Sequence, residues 1–309
     1  MSDEQRSKDQ KYRAGFIGLV GLPNAGKSTL TNLLVGEKVS IVTPKAQTTR
    51  QRVTGLISEP SGQIALVDAP GVIESQQGLN SYLQDEFKEV LAQSDGLLLL
   101  LAKDSSNLDL IKKMVGMIKD SGKPWAVLLT KTDLELGDQA LLQVVEEIQG
   151  QGPPFFSMSL LKPKPAEVKA LKEALLQMLP LSPSPLFDSD IYTTQTLRQM
   201  AAELVREKAF ALLHQEIPYG LAVRILRFVE DEGPVVKIYA EILLAKSNHK
   251  AIVVGQGGRM IRQMGMEARR DLEKILGRQV YLDLHVAVKK DWFKNPAVMK
   301  ELGYVTSAQ

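Results

Sequence analysis

The most constraining feature of this chain is an eight-residue segment at 21–28 that reads GLPNAGKS. An apolar run, AGFIGLV at 14–20, precedes it, and TLTNLLV at 29–35, with apolar residues at helical spacing, follows it. The pattern G-x-x-x-x-G-K-S between a strand and a helix is typical of phosphate-binding loops, because its glycines let successive backbone N–H groups point at phosphate oxygens. The segment therefore predicts a nucleotide-binding domain.

Individual side chains of this loop have predicted roles. We expect Lys27 to reach the β- and γ-phosphates and the hydroxyl of Ser28 to coordinate Mg²⁺. The positive end of the following helix adds to the field that attracts phosphate. Six successive residues are predicted to contact the nucleotide: Asn24, Ala25, Gly26, Lys27, Ser28 and Thr29.

Composition restricts the class of protein further. The 309 residues include no cysteine, which excludes disulfides, thiolate metal sites and cysteine nucleophiles and favours a reducing cytoplasm. The three histidines are too scattered to suggest a metal cluster. The first 11 residues are polar, unlike a secretory signal, and the most apolar run, 97–102, is too short to cross a bilayer.

Two domains are predicted on either side of a proline-rich stretch. Strand-like and helix-like segments alternate as far as residue 179, which predicts a mostly parallel, doubly wound sheet with helices on both faces. Three prolines in 180–185 cannot sustain a helix or a central strand. We predict a disordered tail, a nucleotide-binding domain, a linker and a second domain, with boundaries at 1–12, 13–180, 181–192 and 193–309.

The second domain has a different order of elements. A helical pattern at 194–214 is followed by a predicted hairpin, 222–230 and 235–244, and then by a glycine-rich turn. A helix over 259–276, which Gly265 divides in one interpretation, and a strand over 280–288 complete the order. This order, α-β-β-α-β or α-β-β-α-α-β, predicts an α+β domain.

Two further motifs follow predicted strands of the first domain. The sequence DAPG at 68–71 places Asp68 to hold Mg²⁺ through water and Gly71 to offer its N–H to the γ-phosphate. The sequence TKTD at 130–133 resembles the N-K-x-D motif of GTPases, in which the aspartate accepts hydrogen bonds from guanine. Predicted base contacts are therefore Thr130, Lys131 and Asp133, although Thr130 lacks the usual asparagine amide, which predicts a lower nucleotide affinity.

Together with KAQTTR at 45–50, these motifs resemble the Era family of bacterial GTPases over nearly the whole chain. The resemblance implies GTP or GDP and Mg²⁺ as ligands, with Thr49, or alternatively Thr48, completing Mg²⁺ coordination beside Ser28 and Asp68. Catalysis would then depend on Lys27 and Thr49. Val72 follows Gly71 where Ras-like GTPases carry a water-orienting glutamine, so we expect slow intrinsic hydrolysis.

The fifth GTPase motif is expected near residue 158. The resemblance assigns the backbone contact to guanine O6 to Ser157 and Met158, although Met158 stands where the family usually has alanine. No glycine follows within 160–165, whereas family members usually have a short glycine-containing turn there.

The turn at 255–258, GQGG, lies between the hairpin and a basic helix and has the G-x-x-G pattern of RNA-binding KH loops. Residues 193–309 contain 18 basic and 13 acidic side chains, and this excess favours a polyanionic partner. Trp292 is expected either to stack on a base or to pack in the domain core. The predicted RNA-binding residues are Gly255, Gln256, Gly257, Gly258, Arg259, Arg262, Lys289 and Lys290.

The resemblance implies a P-loop GTPase domain followed by a type II KH domain. It further implies a cytoplasmic, monomeric switch protein that binds the 3′ end of 16S ribosomal RNA, assists assembly of the 30S subunit and associates peripherally with the membrane. Two alternatives remain at this point. One is a P-loop phosphotransferase without guanine preference or RNA affinity, and the other is an RNA-binding module whose nucleotide site is not catalytic.

Overall fold

A computed structural model describes residues 12–43, 45, 48–71, 79–135, 139–231 and 233–304, without the side chains of 79–82 and 84. These residues form two compact units. The first unit runs to Thr194, and the second consists of Gln195 onward together with residues from 41–48 and 79–82. Residues 1–11 of the predicted tail and Val72 lie outside the described residues.

A strand and a short helix flank the glycine-rich segment, as its sequence context predicts. Strand β1 is Arg13–Gly21, and helix α1 is Lys27–Val35. The helix begins after Gly26 (φ 95°) and ends before Gly36 (φ 84°), both in the left-handed conformation that favours glycine. Because Leu19 and Val20 are fully buried, the loop starts from the centre of the core.

The first unit is built on a six-stranded sheet with the order β2-β3-β1-β4-β5-β6. All neighbouring strands are parallel except β2 and β3, which pair antiparallel, so the mostly parallel sheet predicted from the sequence is confirmed. The remaining strands are β2 (Val53–Glu59), β3 (Gly62–Asp68), β4 (Gly96–Ala102), β5 (Trp125–Thr130) and β6 (Phe155–Ser157).

Strand β2 is not predicted from the sequence pattern. It lies at the edge of the sheet, and its sequence, VTGLISE, mixes polar residues with a glycine that weakens the strand pattern. Packing explains Gly55, because a Cβ atom there would lie 2.7 Å from Cγ2 of Val35 in α1. Close packing against α1 therefore requires glycine at position 55, and that glycine makes the segment hard to recognise as a strand from its sequence.

Helices cover both faces of this sheet and bury two apolar clusters. One cluster includes Ile17, Leu66 and Leu128, and the other includes Val20, Leu99 and Val127. Alternate residues of each central strand therefore serve opposite faces, as expected of a parallel sheet buried on both sides. The helices are α2 (Leu79–Gln93), α3 (Leu108–Asp120), α4 (Gln139–Gln149) and α5 (Pro165–Gln177).

The segment predicted to be a linker, 181–192, lies along the first unit. The fully buried amide of Gln63 accepts hydrogen bonds from the N–H groups of Leu186 and Phe187 and donates one to the Phe187 carbonyl. Further along, Leu56 donates its N–H to the Tyr192 carbonyl at 2.9 Å. Prolines exclude regular structure here, but these contacts hold the segment against the unit as far as Thr194.

The second unit has a three-stranded sheet with the order β7-β8-β9, antiparallel between β7 and β8 and parallel between β8 and β9. Its elements follow the order α-β-β-α-α-β with a short final helix, which confirms the predicted KH-type arrangement. The division of the central helix near Gly265 is wrong, because 259–276 is one continuous helix and the additional helix lies before the glycine-rich turn, at 250–254. The elements are α6 (Leu197–Leu212), β7 (Leu221–Val229), β8 (Val235–Leu244), α7 (Lys250–Val254), α8 (Arg259–Leu276), β9 (Gln279–Val288) and α9 (Pro296–Glu301).

Helices α6 and α8 pack on one face of this sheet. Phe210 of α6, Ile242 of β8 and Met264 of α8 are fully buried in one shared apolar cluster. A capping box at Thr196 and Gln199 fixes the start of α6. Within the described residues, no helix is both long and apolar enough to cross a membrane.

Candidate nucleotide site and nucleic-acid interface

The loop between β1 and α1 has the backbone geometry of a phosphate cradle. Asn24 (φ 64°) and Gly26 (φ 95°) both adopt left-handed conformations, which turn the chain sharply before α1. A Cβ atom on Gly21 would lie 2.7 Å from the carbonyl oxygen of Leu100, so this position requires glycine. The predicted contacts Ala25, Ser28 and Thr29 lie in this turn or in the first turn of α1.

Lys27 is buried at the centre of this cradle. Its Nζ donates hydrogen bonds of 3.0 Å to the carbonyl oxygens of Gly21 and Leu22, so the ammonium group is positioned by the loop itself. Burial lowers the pKa of Lys27 to about 8, although the negative charge of Asp68 opposes this shift. The two carbonyl groups only partly compensate the positive charge of the Lys27 ammonium group, and a bound polyphosphate would compensate it fully.

A hydroxyl and carboxylate cluster lies beside the loop. Oγ of Ser28 and Oγ1 of Thr49 are 2.9 Å apart, and Ser40 donates a 3.0 Å hydrogen bond to Oδ2 of Asp68. Burial raises the pKa of Asp68, and the nearby Ser28 hydroxyl, the positive charge of Lys27 and the hydrogen bond from Ser40 partly offset that effect. Oδ1 of Asp68 is buried without a hydrogen-bond partner in the described part of the chain.

These oxygen ligands fit Mg²⁺. A hard divalent cation prefers hydroxyl, carboxylate and water oxygens, and the unpartnered Oδ1 of Asp68 is an anionic group that a cation or its water would satisfy. The structure also distinguishes the two threonines. Thr48 donates to the Lys45 carbonyl at 2.7 Å and bonds Thr43, whereas Thr49 is the one beside Ser28.

The DAPG segment closes the phosphate side of the site. A Cβ atom on Gly71 would lie 2.7 Å from the backbone nitrogen of Pro23 in the phosphate loop. Only glycine therefore lets this backbone approach the loop, which is the position from which its N–H can reach a terminal phosphate.

Thr130 joins the base side of the site to the phosphate loop. Its fully buried hydroxyl lies 2.8 Å from the Ala25 carbonyl and 3.3 Å from the Leu101 carbonyl, and it can donate its one proton to either. The neighbouring Lys131 has φ 56°, and its Nζ contacts both carboxylate oxygens of Asp104 at 2.9 and 2.7 Å. Thr130 thus tethers the end of β5 to the phosphate loop, and Asp104 is a partner of Lys131 that the sequence does not reveal.

Asp133, the predicted guanine reader, is exposed at the end of β5. Ser159 donates a 2.6 Å hydrogen bond to its Oδ1, and this bond lowers the pKa of Asp133. The carboxylate is therefore ionised at neutral pH, and Ser159 holds it in position. Both conditions are required of a group that accepts hydrogen bonds from two guanine N–H groups.

The predicted contact from Ser157 and Met158 requires correction. The N–H of Met158 is donated to the Leu129 carbonyl at 3.0 Å, which continues the β5–β6 ladder, and its side chain is buried in the core. Ser157 belongs to β6. The loop that follows the ladder, whose backbone is available to a base, starts two residues further along, at Ser159 and Leu160.

Ser157 and Ser159 are separated by one residue, and either could begin the motif. The sequence alone therefore does not distinguish them. The structure separates them, because Ser159 contacts Asp133 and Leu160 packs over the phosphate loop. A Cβ atom on Gly26 would lie 2.9 Å from Cδ1 of Leu160.

The second unit presents its glycine-rich loop at the start of α8. Gly255 (φ 72°), Gly257 (φ 60°) and Gly258 (φ 76°) all adopt positive φ, and added Cβ atoms on Gly257 and Gly258 would meet no atom within 4 Å. The main chain is therefore open to a ligand on this side. Gln256 lies in the same turn, and Arg259 is the first residue of α8.

A groove of about 350 Å³ continues from this loop between α8 and the edge strand β9. Its floor is apolar and its rim is basic, a combination that suits bases below and phosphates above. The lining includes Gly258, Arg262, Gly265, Arg269, Leu282 and Leu284.

The remaining predicted RNA contacts divide into two groups. Lys289 and Lys290 are exposed just beyond the end of β9. Trp292 is fully buried, donates its indole N–H to the Gly220 carbonyl at 3.0 Å and packs 5.9 Å from the ring of Tyr304. Of the two interpretations of Trp292, the structure supports packing in the core.

Comparison with protein families finds a match in each unit. Residues 16–131 match the family described as 50S ribosome-binding GTPase, and residues 216–293 match the KH domain family. The first match spans the phosphate loop, Asp68 and Lys131. The second spans the glycine-rich loop and the groove beside it.

Relatives of similar length match both units. GTPase Era of Geotalea daltonii is 32% identical over 296 residues, which cover 96% of this chain and 99% of the relative. GTPase Era of Trichlorobacter lovleyi is 36% identical over 302 residues, with coverages of 96% and 99%.

Solved structures give the same result. An Aquifex aeolicus Era bound to GDP·AlF4⁻ has a TM-score of 0.87 at 34% identity, covering 95% of this chain and all of the Aquifex chain. Era in complex with MgGDPNP and nucleotides 1506–1542 of 16S ribosomal RNA has a TM-score of 0.87 at 35% identity, with coverages of 96% and 100%. Relatives named GTPase Era match both units of this chain over nearly the whole length of each relative. This chain therefore belongs to the Era family of GTPases.

Proposed function

We propose that this GTPase binds the 3′ end of 16S ribosomal RNA through its second unit and uses guanine nucleotide in its first unit to control that binding. The observation that carries the proposal is the open G-x-x-G backbone above a basic-rimmed groove, in a chain that also has a complete phosphate loop. The solved Era complex that contains both MgGDPNP and 16S ribosomal RNA supports the same pairing of ligands.

In the nucleotide site, Lys27 neutralises the phosphates, while Asn24, Ala25, Gly26 and Thr29 offer backbone groups. Ser28, Thr49 and Asp68 hold Mg²⁺, which stabilises the negative charge that develops on the transferred phosphoryl group. Gly71 donates its N–H to the terminal phosphate. Asp133 reads guanine, Lys131 covers the base plane, and the backbone at Ser159 and Leu160 contacts O6.

Hydrolysis by this site is slow without a partner. Asp68 is assigned to the metal, and Asp104, which shares a pocket with Leu22, Pro23 and Asn24 of the phosphate loop, is paired with Lys131. Lys27 and Thr49 therefore stabilise charge and orient ligands, while no side chain in the described site activates water. Faster turnover requires a group supplied by a partner, such as the assembling 30S subunit.

In the second unit, Gly255, Gln256, Gly257 and Gly258 clamp the RNA backbone, and Arg259 and Arg262 pair with phosphates. Lys289 and Lys290 extend this basic surface. The protein acts as a cytoplasmic monomer in small-subunit assembly. Peripheral membrane association, which the family resemblance implies, remains part of the proposal, and co-sedimentation with anionic lipid vesicles tests it.

The decisive experiment is a titration of labelled RNA that copies nucleotides 1506–1542, using the nucleotide-free, GDP-bound and GTP-analogue-bound protein. We expect tighter RNA binding in the GTP-analogue form, because a ligand shifts a conformational equilibrium only through unequal affinity for the two states. Equal RNA affinity in all three forms would contradict the proposed control.

The alternative of an RNA-binding module with a non-catalytic nucleotide site makes a different prediction. In that case Lys27→Ala abolishes GTP binding but leaves RNA binding and subunit maturation intact. Under the proposed function, the same variant retains RNA binding but loses its dependence on nucleotide. The phosphotransferase alternative is not supported, because the relatives that match this chain across both units are Era GTPases.

A further inference from the structure

The outer face of the three-stranded sheet carries a group of side chains that the groove does not use. We call Arg227, Lys237, Tyr239 and Tyr281 the outer-face cluster. They come from β7, β8 and β9, where Arg227 is registered with Tyr239 and Lys237 with Tyr281. Helices α6 and α8 cover the opposite face of the sheet.

Aromatic and cationic groups are adjacent in this cluster. The rings of Tyr239 and Tyr281 are 6.0 Å apart at an interplanar angle of 61°, and the guanidinium of Arg227 lies 6.0 Å from the centre of the Tyr239 ring. Tyr281 is 51% exposed, so about half of a large ring remains in water. The exposed part of the Tyr281 ring is therefore accessible to a ligand.

The two cations of the cluster are not neutralised locally. On the same face Arg224 contacts Glu241 and Glu301, and Asp283, which is registered with Tyr239, contacts His285, a partner that is charged only when protonated. Among the residues that the structure describes, no carboxylate forms an ion pair with Arg227 or Lys237. Uncompensated cations beside exposed rings form a surface suited to a ligand with both negative charge and flat apolar faces.

Strand β9 connects this face to the groove. It is the edge strand of the sheet, and successive residues point to opposite faces. Leu282 and Leu284 line the groove, while Tyr281, on the other face, belongs to the cluster. A chain that leaves the groove across the edge of β9 would therefore meet the outer-face cluster next.

We propose that the outer-face cluster binds unpaired bases of single-stranded RNA that extends beyond the groove, with Tyr281 and Tyr239 stacking on bases and Arg227 and Lys237 contacting phosphates. Stacking on aromatic rings together with flanking cations is the usual recognition of single strands, and it tolerates different base sequences. This inference rests on the proposed function, because the groove delivers the RNA to the cluster.

The test compares three labelled RNAs on the full-length protein at one salt concentration. The short RNA is just long enough to fill a KH groove, about four nucleotides. Two long RNAs add unpaired uridines at the 5′ or the 3′ end of the same core. We expect one extension to increase the affinity of the unaltered protein about tenfold, as stacking of one base typically does.

Variants of Tyr281 identify the source of that gain. Tyr281→Ala should remove the gain for the long RNA without changing the affinity for the short one, while Tyr281→Phe should retain it, because stacking requires the ring and not the hydroxyl. Tyr192→Ala, which truncates an exposed tyrosine of the first unit, is the matched control. An extension of abasic nucleotides should give much less gain than uridines.

Several results would overturn the inference. Each of three results would show that the cluster does not stack bases. Neither extension increases the affinity, the increase survives in Tyr281→Ala, or abasic nucleotides give an equal increase. In those cases binding of the short RNA leaves the proposed function intact. If the short RNA itself fails to bind, or binds equally well after Gly258→Asp, the groove is not an RNA site and both proposals fail.

Discussion

Lys27 is a buried cation that two backbone carbonyls hold in place within the phosphate loop. The pKa of its ammonium group is lowered to about 8 by burial, and bound phosphate would raise it by supplying a nearby negative charge. Below about pH 8 the group is charged in both the free and the bound protein. Above about pH 8 the free protein has lost the proton, so nucleotide binding has to take one up.

We therefore predict that GDP affinity is level between about pH 6.5 and 7.5 and falls above about pH 8, by as much as tenfold per pH unit. Calorimetry in two buffers of different ionisation enthalpy measures the proton uptake directly. Uptake should be near zero at about pH 7 and should approach one proton at about pH 9. Binding without proton uptake at the higher pH would contradict the position assigned to Lys27.

Ser159 is the residue whose assignment the structure changed. Its hydroxyl holds Asp133, whereas Ser157 belongs to a strand whose ladder continues through Met158. We predict that Ser159→Ala lowers GDP affinity about three- to tenfold, because an acceptor of guanine loses its positioning hydrogen bond. Ser157→Ala makes the same chemical change two residues away and should have little effect. A larger loss in Ser157→Ala would return the motif to the earlier serine.

At the scale of elements, the segment 181–192 behaves as an irregular strap along the first unit rather than as a free connection. Gln63 in β3 makes hydrogen bonds to both Leu186 and Phe187, and β2 bonds Tyr192 and Thr193. Proline composition correctly excludes a helix or a central strand, but it does not reveal whether backbone groups find partners. Those partners lie more than a hundred residues earlier in the chain.

Replacement of Gln63 tests the strap. We predict that Gln63→Leu speeds amide hydrogen exchange at Leu186 and Phe187 about tenfold or more, because their N–H groups lose a buried acceptor. Exchange followed by NMR or mass spectrometry measures the effect. Gln177→Leu, at an exposed position on α5, is the control. Unchanged exchange at 186 and 187 would mean that the strap is held by other contacts.

At the scale of the whole molecule, two binding sites are assigned to separate compact units. Gly258 has open surroundings, so an aspartate there meets no steric clash and places a carboxylate where phosphate is expected, although φ 76° adds backbone strain. We predict that Gly258→Asp lowers RNA affinity at least tenfold and leaves GDP affinity unchanged. Gly122→Asp, at another open glycine with φ 65°, should change neither. Retention of RNA affinity in Gly258→Asp at several salt concentrations would refute the groove assignment.

The sequence by itself determined the elements of function that are encoded within a few consecutive residues. The phosphate loop, the DAPG and TKTD segments and the G-x-x-G turn each require particular residues at fixed local spacing, because backbone conformation within a turn depends on its own side chains. The alternation of apolar segments was also sufficient to predict the mostly parallel sheet of the first unit and the hairpin and last strand of the second, but it did not reveal the short helix at 250–254.

Tertiary structure alone decided which of several similar residues meet across the fold. It placed Thr49 rather than Thr48 beside Ser28, Ser159 rather than Ser157 beside Asp133, and Trp292 in the core. It also revealed β2 and the strap, whose hydrogen-bond partners are remote in sequence. The physical reason is that strand register and side-chain packing are set by the whole core, so a displacement of one or two residues is invisible to local patterns.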